Sequence, residues 1–290
     1  MAAKINHIDD VRLNRIEEGD STPPSPHGPT GISNHHCCCS LVGAATMLQK
    51  LLAEAIGTYF IVFTGCAAIV VEKTKGTVTY PGICVTWGLI ILIVIYTLGH
   101  ISGAHFNPAV TIAFTVCRHF PLAQAPMYIT AQIIGSLLAS GTLSLLLNVT
   151  EESYFGTLPT GSDLQAVVME IIISFILMFV VYGTAIDDRA HKEFAGVVIG
   201  MTILMNALIA GSISGASMNP ARSIGPAVVR KTCKKLWIYV VGPTVGCVAG
   251  GATYNLVKHL DKFPSAIHDH PLPVFTKHIE FQRMLSHNHH

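Results

Sequence analysis

Apolar residues run along this chain in six long blocks separated by short polar stretches. The blocks cover about 47–71, 82–100, 122–147, 164–186, 194–211 and 236–258. Asp, Glu, Lys and Arg are absent from 76–117, 119–150, 194–221 and 236–257. A soluble protein of this length can bury one such run but not four. A helix rises 1.5 Å per residue, so roughly 20 residues cross the ~30 Å hydrocarbon layer. Each block is long enough, the fifth with least to spare. The pattern predicts an all-α membrane protein with six transmembrane helices.

Two apolar pieces are left over, SGAHFNPAVTIAFTVC at 102–117 and SGASMNPARSIGPAVV at 214–229. From its Asn onward each offers too few helical residues to span. Each sits between two spans, so both read as re-entrant half-helices, which lipid tolerates only where protein or a water-filled cavity surrounds them. They also match one another. Ser102-Gly103-Ala104-x-x-Asn107-Pro108-Ala109 repeats as Ser214-Gly215-Ala216-x-x-Asn219-Pro220-Ala221. An intramembrane acid opens each half, Glu54 before the first piece and Glu170 before the second. The chain is therefore read as a tandem duplication, with repeats of about 47–147 and 164–258. Three spans per repeat force the second repeat to insert inverted, so the half-helices meet near the midplane. The parts outside, 1–46 and 259–290, read as flexible polar tails facing the cytosol.

Composition sharpens the class. Of 290 residues 50% are apolar and only 12% charged, and the mean hydropathy is +0.51. A soluble surface needs about twice that charge. The net charge of +1 excludes a basic nucleic-acid face. Cys66, Cys84, Cys117 and Cys247 lie in or beside apolar stretches and read as small core residues, while Cys37-Cys38-Cys39 is a candidate acylation run in the N-terminal tail. No zinc spacing occurs, and no metal or cofactor is expected. With both ends cytosolic, Lys and Arg are only modestly in excess on the inner side. Arg230, Lys231, Lys234 and Lys235 form an outer cluster that the positive-inside rule leaves unexplained.

The paired motif carries the chemistry. Asn is a preferred N-cap and Pro a preferred first helical residue, so Asn-Pro-Ala specifies a sharp helix start. The Asn carbonyl can cap orphan backbone N–H groups, leaving its NH₂ group free to face a lumen. Two opposed starts bring two positive dipole ends to one point. A water or polyol oxygen can accept hydrogen bonds there, whereas a cation meets a positive field and loses hydration. Glu54 and Glu170 need partners inside lipid and are read as scaffold acceptors for the non-helical backbone before each half-helix, not as a proton relay. His100 and His105 flank the first motif and are read as hydrogen-bonding supports of that loop.

These residues resemble the aquaporin and aquaglyceroporin superfamily, the major intrinsic proteins. HISGAHFNPAVTIAF and SGASMNPARSIGPAVV are most similar to the plant nodulin-26-like branch. The resemblance covers about 47–258. It implies a right-handed six-helix bundle, four copies per assembly and a separate pore in each. It also implies a second constriction of four residues: Arg222 after the second motif, Trp87 on the second span, Ala207 on the fifth, and Ala216 in the loop. Ala207 departs from the branched residue that branch usually has, and Ile203, one turn earlier, is the alternative for that site. Arg222 supplies fixed donors and repels cations, Trp87 supplies an apolar wall, and the two alanines leave room. The resemblance implies passage of water and glycerol, extending to boric acid, arsenous acid, urea, formamide, ammonia, lactic acid or hydrogen peroxide. Trp87 argues against silicic acid.

Two rival classes remain at this stage: an ion-coupled secondary transporter, which also uses inverted repeats, and a non-conducting membrane structural protein. An enzyme is excluded, because no nucleophile–base set converges on either motif. In the C-terminal tail, Phe281-x-Arg283-x-x-Ser286 suits a calcium-dependent plant kinase, and Ser286 is the candidate phosphosite. Ser21-Thr22-Pro23 and Ser25-Pro26 are weaker, proline-directed candidates. Asn148-Val149-Thr150 is a glycosylation sequon, placed too close to the third span for ready use. The plasma membrane is the expected location.

Overall fold

The computed structural model describes residues 34–260, with side chains from residue 43 onward. The chain divides into two units, Met1–Ala44 and Ala45–His290, and the helix packing and the site belong to the second. The helices are α1 (Asn34–Lys75), α2 (Tyr80–Ser102), α3 (Pro108–Val116), α4 (Ala125–Leu146), α5 (Asp163–Val181), α6 (Ala195–Ala210), α7 (Pro220–Val229) and α8 (Leu236–Leu260). A π turn, Tyr182–Ile186, continues α5. Among the described residues, six helices are long and apolar enough to cross a membrane, and α3 and α7 are not. At 9 and 10 residues, α3 and α7 reach about half of a ~30 Å hydrocarbon layer.

One boundary differs from the sequence pattern. The apolar part of the first span begins at Gly43, and its helix at Asn34, inside the stretch expected to be an irregular tail. No proline interrupts the chain from Asn34 to Lys75, so nothing local stops the helix from extending backwards. Cys37, Cys38 and Cys39 lie in that extension.

The two repeats, α1–α4 and α5–α8, use glycine in matching ways. A Cβ on Gly135 of α4 would collide with the carbonyl of Ala55, the residue after Glu54. A Cβ on Gly246 of α8 would collide with the carbonyl of Ile171, the residue after Glu170. Each repeat therefore brings its first and last helices into backbone contact beside its buried acid. Gly88 of α2 and Gly200 of α6 face one another, each lacking room for a Cβ against the other's carbonyl, and this pair joins the repeats. The half-helices pack across the repeat boundary, α3 on α8 and α7 on α4. Ser136 of α4 donates its hydroxyl to the Ala221 carbonyl of α7.

Large apolar side chains also point outward, among them Leu138, Met201 and Leu145. Lipid solvates such a surface, which water would not. The unexplained basic cluster finds part of its reason here. Arg230 Nη2 donates to the Val149 carbonyl at 2.9 Å, and Lys235 Nζ pairs with Asp163 at 2.6 Å. Both tie down the connection between the repeats, as does Lys73 Nζ on the Tyr154 carbonyl at 2.7 Å.

At the other end of the bundle, Asp187 comes directly after the π turn. Its carboxylate accepts from Arg189 Nη2 at 2.9 Å and from the Tyr254 hydroxyl at 3.0 Å, with Lys258 Nζ at 3.5 Å. The hydrogen bonds from Arg189 hold this carboxyl well below the usual range, and the Tyr254 hydroxyl adds to them.

Candidate functional site

Both helix starts have the geometry that their sequence dictates. Asn107 and Asn219 are extended, with φ −155° and −147°, and their Oδ1 atoms accept from Ala109 N and Ala221 N at 2.9 Å. Pro108 and Pro220 then open the helices, with Ala109 and Ala221 buried behind them. The amide groups are not wholly free, however. Asn107 Nδ2 donates to the Met218 carbonyl at 2.8 Å, and Asn219 Nδ2 to the Phe106 carbonyl at 2.9 Å. Each NH₂ therefore spends one hydrogen on the opposite repeat and keeps the other. The reason is tertiary: the two starts come so close that each amide reaches the other's preceding peptide.

That closeness requires unusual backbone. Gly103, Ala104 and Phe106 have φ of 90°, 55° and 50°, and Gly215, Ala216 and Met218 have 90°, 44° and 54°. Left-handed alanine, phenylalanine and methionine cost on the order of 1 kcal/mol or more each and persist only when surroundings over-determine them. The glutamates supply that constraint. Glu54 accepts from the backbone N–H of His105 (3.0 Å) and Phe106 (2.6 Å), from Ser102 Oγ (2.6 Å) and from Gln132 Nε2 (2.8 Å). Glu170 accepts from the N–H of Ser217 and Met218 (2.8 Å each) and from Ser214 Oγ (2.7 Å). The Tyr128 and Tyr239 hydroxyls donate to the Ser102 and Ser214 carbonyls at 2.8 and 2.6 Å.

The two histidines part company. His105 is buried, bonds through Nδ1 to Thr111 Oγ1 at 3.1 Å, and packs against Phe114, Phe120 and Tyr128. His100 lies exposed in the last turn of α2 and makes no hydrogen bond to the loop it was expected to brace. Its position on α2 turns it outward, away from the packed loop.

A single cavity of about 320 Å³ is lined by Asn107 and Asn219, though not by the Pro and Ala of either motif, and by Trp87, Ala207, Ala216 and Arg222. One wall is apolar and helical: Trp87, Ile91 and Ile95 of α2 face Ala195, Ile199, Ile203 and Ala207 of α6, each series stepping by one turn. The non-helical segments Gly103–Asn107 and Ala216–Asn219 line the cavity as well. Arg222 also lines it, with its guanidinium carbon 5.0 Å from the centre of the Trp87 ring. Trp87 lies over Gly65, where any side chain would strike the indole. Arg222 Nε and Nη1 are buried without a protein acceptor, which leaves a desolvated cation with donor capacity beside the lumen. Ile203 and Ala207 both line the cavity.

Several residues of the site carry no signal in the side-chain pattern. The Phe106 and Met218 carbonyls act through backbone, which no side-chain pattern encodes. Gln132 was detectable as a long amide inside an otherwise apolar span. Asn148 is exposed just past α4, with φ of 45°, and Thr150 of its sequon bonds to Ser153. Nearby Tyr154, buried at the repeat connection, has its hydroxyl pushed up to about 12 by burial, against the opposing pull of the Arg222 charge. Ser21, Ser25 and Ser286 lie outside the described residues. Among the described residues, no group of His, Cys, Asp or Glu is arranged to hold a metal.

Known proteins share this arrangement. The family described as "Major intrinsic protein" matches residues 42–254. A Nicotiana alata protein described as "Probable aquaporin NIP-type" is 54% identical over 260 residues, 90% of this chain and 94% of that one. Nodulin-26 of Glycine max is 55% identical over 216 residues, 74% of this chain and 80% of that one. Among solved structures, the aquaglyceroporin of Plasmodium falciparum superposes with a TM-score of 0.68 at 25% identity, covering 73% of this chain and 97% of its own. With the paired helix starts, the inverted repeats and these relatives together, the chain belongs to the major intrinsic proteins, a family of channels and not of enzymes, and within it to the NIP-type aquaporins.

Proposed function

We propose that the chain is a passive channel for water and small uncharged solutes such as glycerol, closed to ions and protons. One observation carries the reading: Asn107, Asn219, Trp87 and Arg222 line the same cavity, together with apolar residues of α2 and α6 and the non-helical segments before each Asn. A polyol has carbon on one side and hydroxyls on the other, and such a lumen solvates both. The helix starts and Arg222 make the passage positive, which disfavours cations. Trp87, Ala207, Ala216 and Arg222 are assigned to the second, narrow constriction, and the two Asn-Pro-Ala motifs to the central one. Glu54, Glu170 and His105 are assigned to the scaffold that shapes the lumen. The room at Ala207 and Ala216 extends the solute class to boric acid, arsenous acid, urea and ammonia.

The test is stopped-flow swelling of proteoliposomes with water, glycerol, urea and boric acid. Flux that rises linearly with gradient and ignores membrane voltage is the expected result. Saturable flux driven uphill by a proton gradient would replace the channel with a coupled transporter. No permeability change for any solute would leave a structural role. Four copies per assembly, plasma-membrane residence with both termini cytosolic, and kinase action at Ser286 are part of the proposal. Mass determination in detergent, fractionation with protease protection, and phosphopeptide mapping test these in turn.

A further inference from the structure

The two repeats brace their helix starts with the same side-chain staple. In each, the residue two before the Asn bonds to the hydroxyl four after it. The first staple is His105 Nδ1 to Thr111 Oγ1 at 3.1 Å, and the second is Ser217 Oγ to Ser223 Oγ at 2.6 Å. The staples differ in what holds them. Thr111 Oγ1 accepts from Gln132 Nε2 at 3.0 Å, and Gln132 also donates to Glu54, so the first staple is fixed wholly within its own repeat. The second staple has no such amide. Ser223 Oγ accepts from Thr157 Oγ1 at 2.8 Å, and Thr157 belongs to the connection between the repeats.

Thr157 is well placed for this. It is 5% exposed, and Ser223 beneath it 1%. Its side chain also lies against Gly215, where an added Cβ would come within 3.3 Å of the Thr157 methyl carbon. The connection is pinned on both sides of it. Lys73 Nζ holds the Tyr154 carbonyl, and Thr160 donates to the Ser212 and Ile213 carbonyls at 2.7 and 3.1 Å. Thr157 therefore touches the non-helical segment before Asn219 and, through Ser223, the first turn of α7, which carries Arg222.

We propose that Thr157 is a positioning residue for Arg222: through Ser223 and Ser217, the extramembrane connection between the repeats sets the filter and thereby the channel's choice between polyol and water. Ser223 adjoins Arg222, and Ser217 Oγ in turn donates to the Asn219 carbonyl at 2.9 Å. One chain of hydroxyls thus fixes both ends of the short segment carrying the filter cation. Polyol passage needs the Arg222 donors and the Trp87 wall in register, whereas a single water tolerates misalignment. This inference rests on the channel reading above.

The experiment compares water and glycerol flux in proteoliposomes at equal protein content for the wild type, Thr157→Val, Thr157→Ser and Ser223→Ala. Thr157→Val keeps the shape and removes the donor. It should lower the glycerol-to-water ratio by about two- to tenfold, the range that one hydrogen bond supports. Thr157→Ser should restore the ratio, and Thr157→Val combined with Ser223→Ala should add little to either alone. An unchanged ratio in Thr157→Val, or a parallel fall of both fluxes, overturns the proposal, as does a Thr157→Ser protein that behaves like Thr157→Val. Should Thr157→Val not assemble, Ser223→Ala poses the same question from the other end of the bond. A wild type that passes neither solute would instead overturn the channel reading.

Discussion

The Arg222 guanidinium stands 5.0 Å from the centre of the Trp87 ring, both on the wall of one cavity. A cation over an indole face is a favourable pair. Arg222 thus brings a positive charge to that cavity and Trp87 apolar surface. Replacing Arg222 by Val removes the charge while keeping a side chain there. Cation or proton leak should rise by at least about tenfold, since two like charges 4 Å apart near a protein surface repel by ~4 kcal/mol. Voltage-clamped bilayers measure this, and an unchanged leak would assign exclusion to the helix starts alone.

Ala207 of α6 lines the same cavity. Histidine there would project an imidazole into space that alanine leaves open. Glycerol flux should drop by about tenfold while water is spared, because overfilling a packed site costs ~1–3 kcal/mol. Equal glycerol flux in Ala207→His would mean that the side chain does not reach the constriction.

The buried acids give a stability prediction. Glu170→Ala would leave Ser214 Oγ and the N–H groups of Ser217 and Met218 without their acceptor. Each orphaned donor costs about 1–3 kcal/mol, and the left-handed backbone at Ala216 and Met218 loses its constraint. The purified variant should melt well below the wild type in detergent. A melting temperature equal to the wild type would show that the strand before Asn219 holds itself.

Asp187 makes stability depend on acid. Its folded carboxyl sits below the ordinary 3.8 because Arg189 and Tyr254 donate to the charged form. A depressed acid contributes stability that is present above its unfolded value and lost as pH falls through the folded one. Asp187→Asn should therefore lower the melting temperature at pH 7. That difference should begin to shrink as pH drops below about 3.8 and vanish at lower pH. A gap of constant size from pH 7 to pH 2 would refute the linkage.

Much of this architecture could be read from the chain. Uncharged runs longer than a bilayer is thick admit few structures other than spanning helices, because lipid offers no partner to a free peptide group. Two copies of one short motif in a chain with three spans per repeat leave inversion as the consistent arrangement. His100 shows where reading fails. Like His105 it lies shortly before the first Asn-Pro-Ala, yet one turns outward and the other inward, and position in sequence does not reveal which neighbours will pack there.

Residue type and order set the spans, the helix starts and the need of Glu54 and Glu170 for partners, since hydrophobicity, capping and charge burial are properties that a residue carries with it. The partners themselves came from the fold. Met218 O for Asn107, Phe106 O for Asn219, Gln132 for Glu54 and Thr157 for Ser223 all lie far away in sequence. Three of these four contacts run from one repeat to the other or to the connection between them. Hydrogen bonds form over about 3 Å, and only the crossing of helices at glycine contacts brings such groups within that reach.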